Sequence, residues 1–376
     1  MTHRERVLTA LDHKEPDRIP MDLGSVGSLL VDKVYFGVKE LLGITGDIPP
    51  YRTGSTANYY DERIMEALDT DFRHVWLSSP DKPKNVCNPD GTVTDEWGIT
   101  WSKEGSWPSI FPLKDLSERE ISKYPWPEPA NGWDVEALRE RARHYYEDTD
   151  YAVVAKSVLD GAGIFERCYY MRSLEQFFTD MMENEDLATS MINRIMEVEI
   201  SRWDIYLSAV GPYVHIIQRA TDLGTQSGLF ISPEMYRKYI KPADQKVYEF
   251  IRKKAPHAKL WFHSCGAIEP LIDDFMDIGV QILNPVQPNC TGMDSRELKR
   301  KYGDKLCFHG GIDIQKALPG TREDVIREVE TRISGFAPGG GYILAPANHI
   351  QQDTPPENVI TLYRHAAEYG KYPLGR

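Results

Sequence analysis

The sequence KLWFHSCG at 259–266 places an imidazole and a thiol two residues apart at the end of an apolar run. Side chains alternate between the two faces of a strand, so His263 and Cys265 point the same way, with donors close enough for one ion. Imidazole and thiolate together suit zinc, and a catalytic zinc keeps three protein ligands and one open position. A third donor must then come from another element. His349 is the first choice and Cys307 the alternative, while Glu166 could close the fourth position. The spacing alone does not establish a metal, because a strand-end histidine is often only hydrogen-bonded. Cys307, inside an apolar run, is as readily packed into a wall.

The elements that must position these groups alternate along the chain. Short apolar runs fall at 19–23, 74–77, 151–158, 213–217, 259–262, 281–284, 305–308 and 341–344. Amphipathic helical patterns at 56–68, 174–209, 232–254 and 321–336 separate most of them. Strands alternating with helices imply a parallel sheet, and eight such units imply closure into a (β/α)8 barrel of the TIM type. The rival, a doubly wound open sheet, normally has a glycine-rich turn after its first strand, and none is present here. Thr2 and Glu5 make a capping box for an opening helix striped by Val7, Leu8 and Leu11. The segment 80–129, rich in Pro, Trp and Gly, breaks the alternation. Its GTVTDEWGITW reads as a β-hairpin inserted over the C-terminal mouth of one barrel domain covering 1–376.

Active sites of such barrels lie at the strand C-termini. The residues there are Asp22; Asp71 and Arg73; Asp160 and Glu166; Arg219, Asp222 and then Gln226; Ser264 and Gly266 beside the metal pair; Asn284 and Gln287; His309 and Asp313; Asn348 and His349. Asp222, His309 and Glu166 are the candidate catalytic groups. Asp22, Asp160, Arg219, Gln226, Asn284, Gln287 and Asn348 are the candidate substrate contacts. For Asp222 and Gln226 the competing reading is a structural turn, since Asp-Leu-Gly-Thr is good turn chemistry.

A net charge of -13 disfavours a nucleic-acid surface, which needs clustered Lys and Arg. The expected partners are small molecules and proteins. No run reaches the ~20 apolar residues of a membrane span, and the polar, amphipathic MTHRERVLTALDH is unlike a signal peptide, so the expected location is cytoplasmic. Five cysteines without an export signal argue against disulfides and leave thiols free for metal. Cys87 and Cys290 read as small buried apolar residues.

The opening RVLTALDHKEPDRIP, the central ISPEMYRKYIKP, FHSCGAIEPLIDDFMDIGVQILNPVQ and the terminal ILAPANHIQQDTPPENVITLY resemble the uroporphyrinogen decarboxylase superfamily over nearly the whole chain. The resemblance implies a barrel with one of two activities, tetrapyrrole decarboxylation or corrinoid-dependent methyl transfer. Decarboxylases of the superfamily carry an arginine-rich RQAGR after the first strand, where this chain reads MDLGSVGS. A mouth lined by Asp22, Asp160 and Asp222 also suits a substrate with many carboxylates poorly. The methyltransferase branch binds zinc through HxC, matched by His263 and Cys265, and through a later Cys that aligns here with Asn348. The chain has no DxHxxG cobalamin motif, so the corrinoid is expected on a partner protein. These features imply demethylation of a methoxylated, aromatic small molecule with zinc and a corrinoid as cofactors. The runner-up is methylation of a thiol of the coenzyme M type, tetrapyrrole decarboxylation is the second alternative, and a corrinoid or tetrapyrrole carrier is the non-enzymatic one. Oligomeric state is left open, a homodimer being one option.

Overall fold

The computed structural model describes residues 1–52, 55–77, 85–102, 107–128, 133–159 and 161–374. Strands β1 (Phe72–Val75), β2 (Val86–Cys87), β3 (Val93–Thr94), β4 (Thr100–Trp101), β5 (Pro108–Ile110), β6 (Ala152–Ala155), β7 (Ile216–Ala220), β8 (Lys259–His263), β9 (Ile282–Val286), β10 (Cys307–Ile312) and β11 (Tyr342–Pro346) form two sheets. The larger is parallel, in the order β1-β6-β7-β8-β9-β10-β11. Its two edges are joined by the 19–23 run, which makes a parallel bridge between Met21 and Leu344. Asp22 N–H donates to Leu344 O at 3.0 Å, and Asp71 N–H donates to Met21 O at 2.8 Å. That run is the eighth stave, and the barrel closes.

Every residue of these strands except the first of β8 is buried, which is why the runs read as continuous apolar stretches rather than alternating ones. The interior is layered. Phe72, Ala152, Val154, Ile216, Trp261, Ile282, Cys307 and Ile343 fill the lower part, and Val7 and Leu11 of the capped helix His3–Leu11 plug its floor. Two residues further along β1, β7, β8, β9 and β10 the same face turns polar: His74, Gln218, His263, Asn284 and His309, with Asp22 from the eighth stave, all buried.

Three predicted helices differ in detail. The 56–68 pattern is helical only over Glu62–Ala67, capped by Asp61. The 174–209 pattern divides into Leu174–Glu183 and Glu185–Val210, because Asn184 leaves helical geometry and caps the second helix through Leu187 N–H. Within 232–254, one π-helical turn at Tyr236–Ile240 precedes Lys241–Lys254, where Pro242 has no N–H to continue the ladder. The described part of 80–129 carries a four-stranded antiparallel sheet, β2-β3-β4-β5, rather than a lone hairpin. It rests on the helix Ile164–Arg172, which follows β6 at the C-terminal end of the barrel. Arg172 donates to the carbonyls of Leu113, Lys114 and Leu116, and Trp101 meets Tyr170 edge-on. Among the described residues, no helix is long and apolar enough to cross a membrane.

Candidate metal centre and substrate mouth

Continuing the inward face of β7 and β8 beyond the strands brings Asp222, His263 and Cys265 together, with one donor atom from each lying within 4.8 Å of the others. Cys265 Sγ is 3.6 Å from His263 Nε2, and Asp222 Oδ1 is 3.6 Å from the same nitrogen. Asp222 Oδ1 also accepts the Cys265 N–H at 2.8 Å, so the carboxylate fixes the strand exit as well as facing the cluster. Gly266 follows with φ +95°, and a Cβ there would meet the Gly224 backbone at 2.3 Å, so only glycine permits this turn. Burial, and then Asp222, push the Cys265 thiol well above its ordinary value. Two acids pressed together in this way call for a cation, and a divalent ion among one N, one O and one S donor reverses the shift. The donor set therefore fits zinc.

The His263 ring is held from behind. Its Nδ1 is 2.5 Å from Asn284 Oδ1, which makes Nδ1 the protonated nitrogen and leaves the Nε2 lone pair facing Cys265 and Asp222. Asn284 Nδ2 donates to His309 Nδ1 at 2.7 Å, and His309 Nε2 donates to Asp22 Oδ2 at 2.9 Å. On the other oxygen of Asp22, His74 Nε2 stands 3.5 Å away, while its Nδ1 meets Tyr60 Oη at 3.2 Å. Burial opposes ionisation of Asp22, yet His74 and His309 hold it below the usual carboxylate range, and burial keeps both imidazoles below theirs. Gly27 seats a loop on top of the cluster. It has φ +76°, and a Cβ there would stand 2.9 Å from His263 Cε1.

Several expected residues hold other positions. Cys307 opens β10 at the floor of the barrel, where its thiol faces Leu11 O and His13, far from the mouth. His349 lies at the mouth, but its Nδ1 accepts from Leu29 N–H and its Nε2 is 3.3 Å from Arg52, and the donor group gathered there is Asp222 with His263 and Cys265. Asn348 instead reaches the cluster, with Nδ2 donating to Cys265 Sγ at 3.4 Å. His309 is sealed in the polar layer with both nitrogens engaged, by Asn284 and by Asp22. Asp22 is likewise beneath the mouth, not on its wall.

Arg219 has the wrong parity. It points outward between helices to Glu199 and Asp244, and its inward neighbour Gln218 lines the barrel. Arg73 also faces outward, against Tyr151 and Glu62, and Asp71 binds Arg6 and Arg18. Gln226 sits exposed at the tip of a turn with its amide on Gln315, away from the cluster that Asp222 faces. Gln287 clamps the mouth by accepting from Gly266 N–H and donating to Ala347 O. Asp313 caps its own loop at Gln315 and Lys316. Cys87 is exposed and Cys290 half-buried, not core residues. Asp160 lies outside the described residues.

Glu166 enters from the first turn of Ile164–Arg172, and its Oε2 accepts the N–H groups of Gly163 and Asp222. Burial, and then Asp222, raise its carboxyl well above the ordinary value. Sequence reasoning missed His74, Gln218 and Lys156, although stepping by two from Phe72, Ile216 and Val154 reaches each of them. It also missed Arg52, which arrives from a loop with no periodic signal.

The model of the family "Uroporphyrinogen decarboxylase (URO-D)" matches residues 110–369. Curated relatives named uroporphyrinogen decarboxylase, from Serratia proteamaculans and Sodalis glossinidius, are 34% and 31% identical over 80 residues. Those matches span about a fifth of the length of each relative, 22% in both cases, and 21% and 20% of this chain. Over the full fold the chain is similar to a methyltransferase from Methanosarcina mazei, with TM-score 0.60 and 19% identity, covering 98% of this chain and 99% of that one.

Proposed function

The chain belongs to the uroporphyrinogen decarboxylase family, and from that premise we propose that it is a zinc-dependent methyltransferase. It would move a methyl group from a methoxylated small molecule, aromatic in character, to a corrinoid carried by a separate protein. The observation that carries this reading is the convergence of Asp222, His263 and Cys265 at the barrel mouth. The fold-wide similarity to a methyltransferase supports it. Against decarboxylation stands the first loop, where MDLGSVGS offers no arginine and Gly27 packs on His263.

His263, Cys265 and Asp222 would hold the zinc, which when bound supplies a Lewis acid for the ether oxygen. In the proposed reaction the methyl–oxygen bond would break as the electron pair of the partner's reduced corrinoid takes the methyl group, and the oxygen would depart with the bonding pair as an alkoxide or phenoxide that takes a proton. Glu166, beside Asp222, would serve that oxygen as a proton donor. Asn348 donates to the Cys265 sulfur and tempers its charge. Asn284, His309 and Asp22 keep the His263 ring in one tautomer and orientation.

The test begins with zinc analysis of protein purified without added metal. Reduced corrinoid protein and a panel of aryl methyl ethers follow, then methylcobalamin with thiols, then uroporphyrinogen, with the cobalt spectrum monitored. Equimolar zinc with ether-dependent methylation of the corrinoid is the expected result. Turnover of uroporphyrinogen, or an absence of metal, overturns the reading. Methylation of thiols alone moves it to the runner-up.

A further inference from the structure

One wall of the mouth is basic. Lys156, the next inward position after Val154, is only 5% exposed, yet no carboxylate lies within ion-pairing distance of it among the described residues. Its ammonium stands 5.2 Å, 5.5 Å and 5.7 Å from the ring centres of Tyr51, Tyr60 and Trp76. These rings pack on one another, Tyr60 on Trp76 at 4.9 Å and Tyr51 on Trp76 at 5.1 Å, so they form a box around the charge. Arg52 adds a second cation to the same place. It is held by Ala57 O at 2.7 Å and by the contact with His349, and it too has no carboxylate partner among the described residues.

Asp22 is the carboxylate facing this group, but it lies below and is already shared by His74 and His309. Burial and then Arg52 push the Lys156 ammonium down to about 7. Two like charges in low dielectric, with no carboxylate at ion-pairing distance among the described residues, cost free energy unless a ligand neutralises them. His349 ties this wall to the reactive one: Arg52, Lys156 and His263 all act on its ring.

We infer that Lys156 and Arg52 form an anion subsite, and that the small-molecule substrate is an aromatic carboxylate. Its carboxylate meets Lys156 and Arg52, its ring lies against Tyr51, Tyr60 and Trp76, and its methoxyl group points toward Cys265. This rests on the methyltransferase reading for the identity of the reacting end. The anion site itself rests on two cations that have no carboxylate partner among the described residues.

Calorimetric binding, without corrinoid protein or turnover, separates the two. The probes are 4-methoxybenzoate and its neutral counterpart anisole. The wild type should bind the benzoate at least about tenfold more tightly, as expected for a charge-assisted pair. Lys156→Met should abolish that preference without changing the affinity for anisole, and Lys156→Arg should restore part of it. Arg52→Gln, at a loop position, provides a second variant if Lys156→Met fails to fold, and it should weaken benzoate binding alone.

Equal affinity for the two probes, or a preference untouched by these substitutions, overturns the inference. Tight binding of phenyltrimethylammonium in the aromatic box also overturns it. If benzoate binding depends on Lys156 but no methyl is transferred, the subsite stands and the methyltransferase reading falls. If methyl is transferred from neutral ethers alone, the methyltransferase reading stands and the aromatic carboxylate falls.

Discussion

Each end of the barrel holds a cysteine and a histidine with Sγ and Nε2 3.6 Å apart, Cys265 with His263 at the mouth and Cys307 with His13 at the floor. Their surroundings differ. At the floor the thiol faces Leu11 O, Lys259, Lys299 and Asp12 are the charges that act on it, and burial pushes it up to about 12. No third metal donor joins that pair among the described residues. At the mouth the third donor is Asp222, a neighbouring carboxyl is Glu166, and an amide locks the imidazole from behind. Proximity of thiol and imidazole does not make a metal site. At the mouth a third anionic donor, and a local field that calls for positive charge, complete a candidate set.

The strongest way to break this contrast is to exchange the two thiols for alanine in turn. Cys265→Ala should lose bound zinc and lower methyl transfer by about a thousandfold or more, since a Lewis acid contributes several kcal/mol to such a step. Cys307→Ala should retain equimolar zinc and lose only about 1 kcal/mol of stability from a small cavity. Metal analysis beside urea unfolding reads both, and loss of zinc from the Cys307 variant would reverse the assignment.

Asp222→Asn comes next. It keeps an acceptor for the Cys265 N–H but removes the charge, so turnover should fall by about a hundredfold, as for loss of ~3 kcal/mol of transition-state stabilisation, with little change in Tm. Equal losses in both would return Asp222 to a turn residue.

The lock on His263 is tested by Asn284→Leu, which frees the ring. Loss of a partner behind a metal ligand typically costs about 10- to 100-fold in metal affinity, measurable by competition with a chelator. Unchanged affinity would show that the layer of His309 and Asp22 serves folding alone. Gly27→Ala should act through the same ring, because its methyl would contact His263 at positive φ. A stability loss of about 1–2 kcal/mol with weakened zinc retention is expected.

The smallest effect contrasts the mouth's acidic wall with its basic one. Lys156 titrates at about 7 in the folded chain, against ~10.4 when unfolded. Between those values the unfolded chain binds a proton that the folded chain does not, so stability should rise with pH from about 7 towards 10. Below that window both states are protonated and the folded state bears the whole penalty. Lys156→Met should therefore raise Tm by about 2 °C near pH 7 and flatten this rise, as seen by calorimetry across pH. A lower Tm would mean that Lys156 holds the fold together rather than waiting for a ligand.

Much of the architecture was legible in the chain. Eight apolar runs, spaced by amphipathic stretches, correspond to seven strands and the bridging segment that closes the barrel. Periodicity carries this information because burial on both faces leaves a continuous apolar signature. The lateral placement of His263 and Cys265 was equally local, since a period of two operates within one strand. Boundaries were less legible. β7 runs on to Ala220 and β10 to Ile312, beyond the apolar runs, because the polar layer lies inside the strands themselves.

What only the tertiary structure decided was which ends and faces meet. Arg219 and Gln218 are neighbours in sequence, but one faces helices and the other the barrel interior, a parity set by the register of β7 against β8. Cys307 and His309 share a face and a strand, yet one lies at the floor and the other in the polar layer. The third candidate donor beside His263 and Cys265 comes from the exit of β7, not from the segment after β11, because Gly224 and Gly266 let the two strand exits press together while His349 is engaged by Leu29 and Arg52. The sequence alone determines which groups each strand offers, through local periodicity. Which of them converge on one ion depends on closure of the barrel and packing of its loops, interactions between residues far apart in the chain that no local pattern encodes.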